Sequence, residues 1–357
     1  MGTVAEDMTS ITQVESGMMV SRFFAGTLCA LTLILIFMGA LVKSHEAGLS
    51  VPDWPTTYGY NMFMFPPSEW RANVFYEHTH RLVASIVGII TLFLFCWVLL
   101  HDRRNLIRWL AFAALTAVTL QGVLGGLTVL YLLPAYLSIA HGVLAQSYLL
   151  LVVYLARMFS ARFAPLSGSE FRLDSLRTAY WGLGLTVAVW IQLLLGAVVR
   201  HTESGLAIPD FPTMGGQWLP MFDNVMLSRI NEWRLEQTLS SNAFLPDVSM
   251  AQVAIHAIHR FWALVVLAVY AGLLRKTWKR RPSNLKFKKA ALGIGFLIAI
   301  QIALGVFTVT TQRLPLVASL HVLTGAALLV ASWYYVLEAI QLPGYFGQEN
   351  SKAALTE

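Results

Sequence analysis

Cysteine is almost missing from this chain: its 357 residues include two, Cys29 and Cys96. Both fall inside apolar runs, so the sequence offers neither a disulfide framework nor a thiolate metal site, and both read as small packing residues. Charge is also scarce, at 12% of residues against 57% apolar, and the mean hydropathy is +0.62. A soluble domain of this length is not built that way, and the chain reads as a polytopic membrane protein whose first partner is the lipid bilayer. The net charge of +6 does not point to nucleic acid, because the basic residues sit in short connections between apolar runs, where they act as topology signals. The first 17 residues are acidic and hold no arginine. Neither a transit peptide nor a cleaved signal is expected there, so the mature chain is expected to begin near Met1.

Long apolar runs, by contrast, are plentiful. Eight lie near residues 20–42, 82–100, 108–131, 138–157, 179–200, 256–274, 290–311 and 318–338, each close to the ~20 residues that cross a bilayer as helix. The connections at 101–108, 157–178 and 275–289 carry three, four and eight Lys or Arg, whereas those at 43–81, 132–137, 200–260 and 312–317 carry three, none, four and one. Relative to length the first set is the basic one, which places it and both termini in the cytoplasm and the two long loops outside.

The two halves repeat. Residues 39–55 align without gaps on 196–212, with nine of the seventeen positions identical, including Gly48, Leu49, Pro52, Asp53 and Pro55 against Gly205, Leu206, Pro209, Asp210 and Pro212. His80-Arg81 recurs as His259-Arg260, and Gln121, Gly125, Thr128, Val129 and His141 recur as Gln301, Gly305, Thr308, Val309 and His321. The expected architecture is all-α: eight transmembrane helices in two tandem four-helix bundles, related by a pseudo-two-fold axis along the membrane normal. Its expected parts are an N-terminal half, 1–160, a cytoplasmic linker, 161–178, and a C-terminal half, 179–357. The Pro-Asp-aromatic-Pro segments set turns in the outer loops, either as plain loop folding or as a cover for a ligand, with Trp54 and Phe211 at headgroup level. A short amphipathic helix within 213–250 is compatible with the pattern but has no clear bounds.

Histidine carries the chemistry. In each half one histidine (His80, His259) opens the second span and another (His141, His321) lies a few residues inside the fourth, so each bundle can aim two imidazoles inward. Paired neutral imidazoles suit the two axial positions of a haem iron. Structural zinc, with its four ligands, is less suited, while a proton relay remains a second use of intramembrane histidines. Arg81 and Arg260 are candidates to pair with haem propionates, as are Lys43 and Arg200 at the ends of the first and fifth spans, although basic residues at helix ends also snorkel for their own sake. The halves differ at one place: Glu77 shares a helical face with His80, and the matching residue is His256. A carboxylate beside one site alone suggests two different jobs, with Glu77 accepting a proton or stabilising developing positive charge, unless it only pairs with Arg81 one turn on. Gln121 and Gln301 read as interhelical hydrogen-bonding residues; His45, His78, His101 and His201 read as loop or interface residues.

Taken together, the two tandem halves, the 48–55 loop, Glu77-x-x-His80-Arg81, His259-Arg260 and the pair His141 and His321 resemble haem A synthases, the membrane enzymes of cytochrome oxidase assembly, over nearly the whole chain. The resemblance implies oxidation of the C8 methyl of haem O to a formyl by successive hydroxylations. It implies that His80 and His141 ligate the substrate haem, that Glu77 is the catalytic carboxylate, and that His259 and His321 ligate one haem b that passes electrons. Haem O would come from protohaem IX farnesyltransferase, with a separate electron acceptor or donor, and self-association of the chain is compatible with all of this. One subgroup of the family has a cysteine pair in its outer loops, and its absence here points to the proteobacterial and mitochondrial branch. The missing transit peptide favours a bacterial inner membrane over a mitochondrial one.

Two other functions compete at this point. A diheme, quinol-linked electron carrier would need two fixed haems and gains little from a carboxylate in one half only. A haem transporter would hold haem loosely in both halves and leave its chemical type unchanged.

Overall fold

The computed structural model describes residues 2–160, 169–241, 245–279 and 285–340. Among these it is all-helical, with α1 (Gly2–Ser44), α2 (Ala72–His101), α3 (Asn105–Leu130), α4 (Ala135–Met158), α5 (Ser169–His201), α6 (Asn224–Ser241), α7 (Met250–Lys279), α8 (Leu285–Thr310) and α9 (Pro315–Ile340). Eight of these helices are long and apolar enough to cross a membrane, with α1 qualifying over Met19–Ser44 and α5 over Leu176–His201. The predicted linker 161–178 lies partly outside the described residues, and its remaining part belongs to α5.

Apolar surface on these helices closes around two cores. Leu28, Val87, Leu94, Ile107 and Leu149 anchor one among α1–α4. Leu185, Leu273, Ile294 and Leu329 anchor the other among α5, α7, α8 and α9. The halves join where α1 and α4 pack on α5 and α9. At the end of that seam where the two long loops begin, Arg200 donates to the Ala40 carbonyl at 2.5 Å and to Ser44 Oγ at 2.8 Å, and Glu203 pairs with both Lys43 and Arg313. At its other end Arg157 of α4 meets Glu338 of α9 at 3.0 Å.

Matched turns follow matched sequence. Between α3 and α4, Leu132 and Leu133 both take positive φ, and between α8 and α9 Gln312 and Arg313 do the same. The amides of Leu133 and Arg313 close onto the carbonyls of Thr128 (2.7 Å) and Thr308 (2.8 Å), a helix-end closure that satisfies otherwise orphaned acceptors.

Two expectations change. First, α2 and α7 begin at Ala72 and Met250, well before their apolar runs, so His80 and His259 lie inside their helices instead of opening them. The extra turns carry a few polar residues among apolar ones, and Glu77, His78, Gln252 and His256 hydrogen-bond to the long loops or the chain end leading into them. Second, the short helix compatible with 213–250 gains firm bounds as α6. Its buried Met226 and Ile230 join Ile208, Met214, Val248 and Val253 in a third, extramembrane cluster, and Arg234 ties it down by donating to the carbonyls of Leu206 (2.7 Å) and Pro246 (2.8 Å).

Candidate functional site

All four histidines sit against glycine. A Cβ added at Gly39 would lie 3.0 Å from Cε1 of His80, at Gly125 3.3 Å from that of His141, at Gly196 3.2 Å from that of His259, and at Gly305 3.1 Å from that of His321. The neighbouring helix therefore yields its side chain at each imidazole, which is the close approach that only glycine permits. The rings lie deep in their bundles yet keep some accessible surface. His80 lies within electrostatic reach of His141, and His259 of His321. The four predicted residues thus come together as two pairs, one per half.

Ring nitrogens are left over. Among the described residues Nδ1 of His80, His141 and His321 is buried without a hydrogen-bond partner, an arrangement that costs free energy unless a ligand completes it. No cluster of three or more His, Cys, Asp or Glu able to hold a metal occurs among the described residues, which disfavours a protein-only zinc site. Two imidazoles per half suit a metal that brings its remaining ligands with it, and haem iron is such a metal. By donor chemistry and by the glycine seats, the residues fit haem.

Around each pair the long loop that precedes the second span of the half is latched to that helix. In the first half Glu77 is buried; its Oε2 accepts from the Val51 amide (2.8 Å) and its Oε1 from Arg81 (2.6 Å). Arg81 also donates to the carbonyls of Asp53 (2.7 Å), Thr56 (3.1 Å) and Val51 (2.8 Å). In the second half His256 takes the same post: Nδ1 accepts from the Ile208 amide (3.2 Å) and Nε2 from Arg260 (3.2 Å). Arg260 donates to the carbonyls of Asp210 (2.8 Å), Thr213 (3.1 Å) and Ile208 (2.9 Å). Glu77 does pair with Arg81, and the guanidiniums that sequence adjacency linked to propionates spend most of their donors on loop carbonyls.

The Pro-Asp segments fold these loops. Asp53 accepts from Thr56 (2.5 Å) and from the amides of Tyr58 and Gly59 (both 2.8 Å). Asp210 repeats this with Thr213 (2.5 Å), Gly215 (2.7 Å) and Gly216 (2.9 Å). Burial pushes both carboxyls upward, but these hydrogen bonds outweigh it and hold each below its ordinary range. Trp54 departs from the pattern: its indole lies flat on Gly126 of α3, where a Cβ would come within 2.4 Å, whereas its counterpart Phe211 is 51% exposed. His78, expected at an interface, is fully buried under the first loop between Phe65 and Trp70.

One residue escaped the sequence reading. Gln192 of α5 donates from Nε2 to the His259 carbonyl at 3.0 Å, and the same nitrogen lies 3.3 and 3.4 Å from the two ring nitrogens. Its presence in mid-span, where an amide needs a partner, was the available signal.

Known proteins resemble this chain in sequence. The family model described as Cytochrome oxidase assembly protein matches residues 22–333. A protein named Heme A synthase from Caulobacter sp. (strain K31) is 26% identical over 335 residues, spanning 85% of this chain and 90% of its own length. Proteins of the same name from Halalkalibacterium halodurans (24% identical; 87% of this chain, 95% of its own) and Shewanella oneidensis (27%; 84% and 90%) match similarly.

Proposed function

The chain belongs to the family of cytochrome oxidase assembly proteins, and from that premise we propose that it is a haem A synthase, converting haem O to haem A. In this reading the C8 methyl of haem O is oxidised to a formyl in the first half, with the substrate iron between His80 and His141. A haem b held by His259 and His321 supplies one-electron transfer when bound.

One observation carries the reading. Two latches with the same arginine, the same loop carbonyls and the same amide differ in one group, a carboxylate at Glu77 and an imidazole at His256. Two fixed haems of one kind are served by identical latches. A substrate half and a cofactor half are not, and this favours the synthase over the diheme carrier. Both Glu77 oxygens are already hydrogen-bonded, so its role is a fixed negative charge near His80, placed to stabilise positive charge developing at the substrate periphery. Arg81 and Arg260 act by holding the loops closed at the outer end of each half. The site belongs to a bacterial inner membrane with both chain ends cytoplasmic, and it receives haem O from protohaem IX farnesyltransferase in that membrane.

Extraction and chromatography of the haems, from protein expressed with and without a haem O supply, tests this. Haem B accompanied by haem O, its alcohol or haem A is expected. Haem B alone at two equivalents under both conditions would leave a diheme electron carrier.

A further inference from the structure

We propose that Arg200 joins the two histidine pairs into one unit, so that the haem held in the second half senses whether the first half is loaded. This rests on the haem reading above and adds to it a coupling between the two sites.

Arg200 belongs to the second half, on α5, four residues or about one helical turn after Gly196, the glycine that seats His259. Its guanidinium reaches into the first half. There it donates to the Ala40 carbonyl at 2.5 Å, and Ala40 follows Gly39, the glycine that seats His80. The same nitrogen donates to Ser44 Oγ at 2.8 Å, and Ser44 Oγ lies 3.1 Å from Ser319 Oγ, on α9 two residues before His321. The direction of this chain follows from the single proton on each hydroxyl. Ser319 donates its own to the Pro315 carbonyl at 2.7 Å, so Ser44 accepts from Arg200 and donates to Ser319. Ser319 is fully buried, and its hydroxyl cannot trade these partners for bulk water. His80 and His259 through their seats, and His321 through its helix, are therefore tied to one side chain.

Lys43, the counterpart of Arg200 in the repeat, does something else: it pairs with Glu203, whose other oxygen takes Arg313. Arg200 instead holds neutral groups of the other half. A planar guanidinium nitrogen points its two N–H groups in fixed directions, so it sets a carbonyl and a hydroxyl at a fixed separation, which an ammonium on a flexible stem does not. Each imidazole sits directly against its glycine, with 3.0 Å from a Cβ at Gly39 to His80 and 3.2 Å from one at Gly196 to His259. A ring that moves when it takes a ligand moves its seat, and the bond to Ala40 carries that movement from α1 to α5.

The test is a double-mutant cycle in the full-length protein, purified in detergent and loaded with haem B and haem O. Two quantities are read for the haem B of the second half: its low-spin electron paramagnetic resonance signal, which follows imidazole orientation, and its affinity in competition with apomyoglobin. His141→Ala disables the first half. In an otherwise wild-type chain it is expected to shift the signal and weaken haem B binding by about fivefold, the lower end of coupling between sites. In the Arg200→Gln background His141→Ala should change neither quantity. Glu338→Ala, which loosens the same seam at its other end, should leave the coupling intact. The proposal is overturned if His141→Ala has no effect in the wild-type chain, or if its effect survives Arg200→Gln, as it would were Arg200 only a partner for one haem's propionate. Loss of coupling in Glu338→Ala would overturn it too, since any loosening of the seam would then suffice. If Arg200→Gln does not accumulate or holds no haem, Ser44→Ala, which removes one hydroxyl and no charge, is expected to abolish the coupling and decides in its place. A wild-type protein that binds no haem in either half would instead defeat the functional reading.

Discussion

At positions 77 and 256 two unlike side chains meet the same demand, accepting one hydrogen bond from a loop amide and one from an arginine. Histidine can therefore stand in for glutamate without undoing the loop. Glu77→His is expected to retain both haems and an unfolding midpoint close to wild type while haem A formation drops by at least about a hundredfold, the scale of losing one preorganised electrostatic group. Normal haem A yield from that variant would remove Glu77 from the chemistry. The loop carboxylates give a second residue-level outcome. Asp53 and Asp210 lie below the ordinary aspartate value of 3.8 when folded, so their contribution is complete above that value and is lost as pH falls through the lower, folded one. Amide exchange at Gly59, Gly215 and Gly216, corrected for intrinsic rate, should stay flat from neutral pH down to that range and rise only beneath it. A rise already between pH 7 and 5 would contradict the assignment.

Helices supply the precision that the histidines need. A Cβ added at Gly305 of α8 would come within 3.1 Å of Cε1 of His321, whereas one at Gly293 of the same helix would meet nothing within 4 Å. Gly305→Ala should displace the ring and reduce retained haem b severalfold by pyridine haemochrome, and Gly293→Ala should leave it unchanged or stabilise the helix by about 0.5–1 kcal/mol. Equal behaviour of the two variants would show that the seat does not matter. Much of this was legible in the sequence: eight spans from apolar length, two halves from the 39–55 and 196–212 repeat, four histidines from their recurrence. The true starts of α2 and α7 were not, because their first turns interrupt the apolar run with Glu77, His78 and His256, whose partners lie in loops that only the fold brings near. Nor were the bounds of α6, whose buried face of Met226, Ile230 and Arg234, four residues apart, includes a charge and so makes no continuous apolar stripe. Arg81 and Arg260 stand out in the sequence by adjacency to the histidines, but most of their partners are backbone carbonyls of the loops, which no side-chain motif announces. Gln192 was passed over because a search for recurrence skips a position whose counterpart is leucine.

On the scale of the molecule, two bundles with matching histidine pairs are pressed together along α1, α4, α5 and α9, and under the proposed function any electron transfer between the halves crosses that seam. Arg157 and Glu338, with side chains 5% and 13% exposed, pin one end of it. Glu338→Ala removes the carboxylate that pairs with both Arg157 and Lys286, and a loss of about 3 kcal/mol is expected in unfolding experiments, with haem content per folded protein unchanged; no change in stability would mean that the pair is not part of what joins the halves. The central claim is that the halves do different work on different haems. Its most direct test is the identity of the haem lost when each pair is broken, read by extraction and chromatography from His141→Ala and His321→Ala made with a haem O supply. The account predicts that His141→Ala loses the haem O and haem A fraction and keeps haem B, and that His321→Ala loses haem B and keeps haem O unconverted. Loss of the same haem from both variants would contradict it.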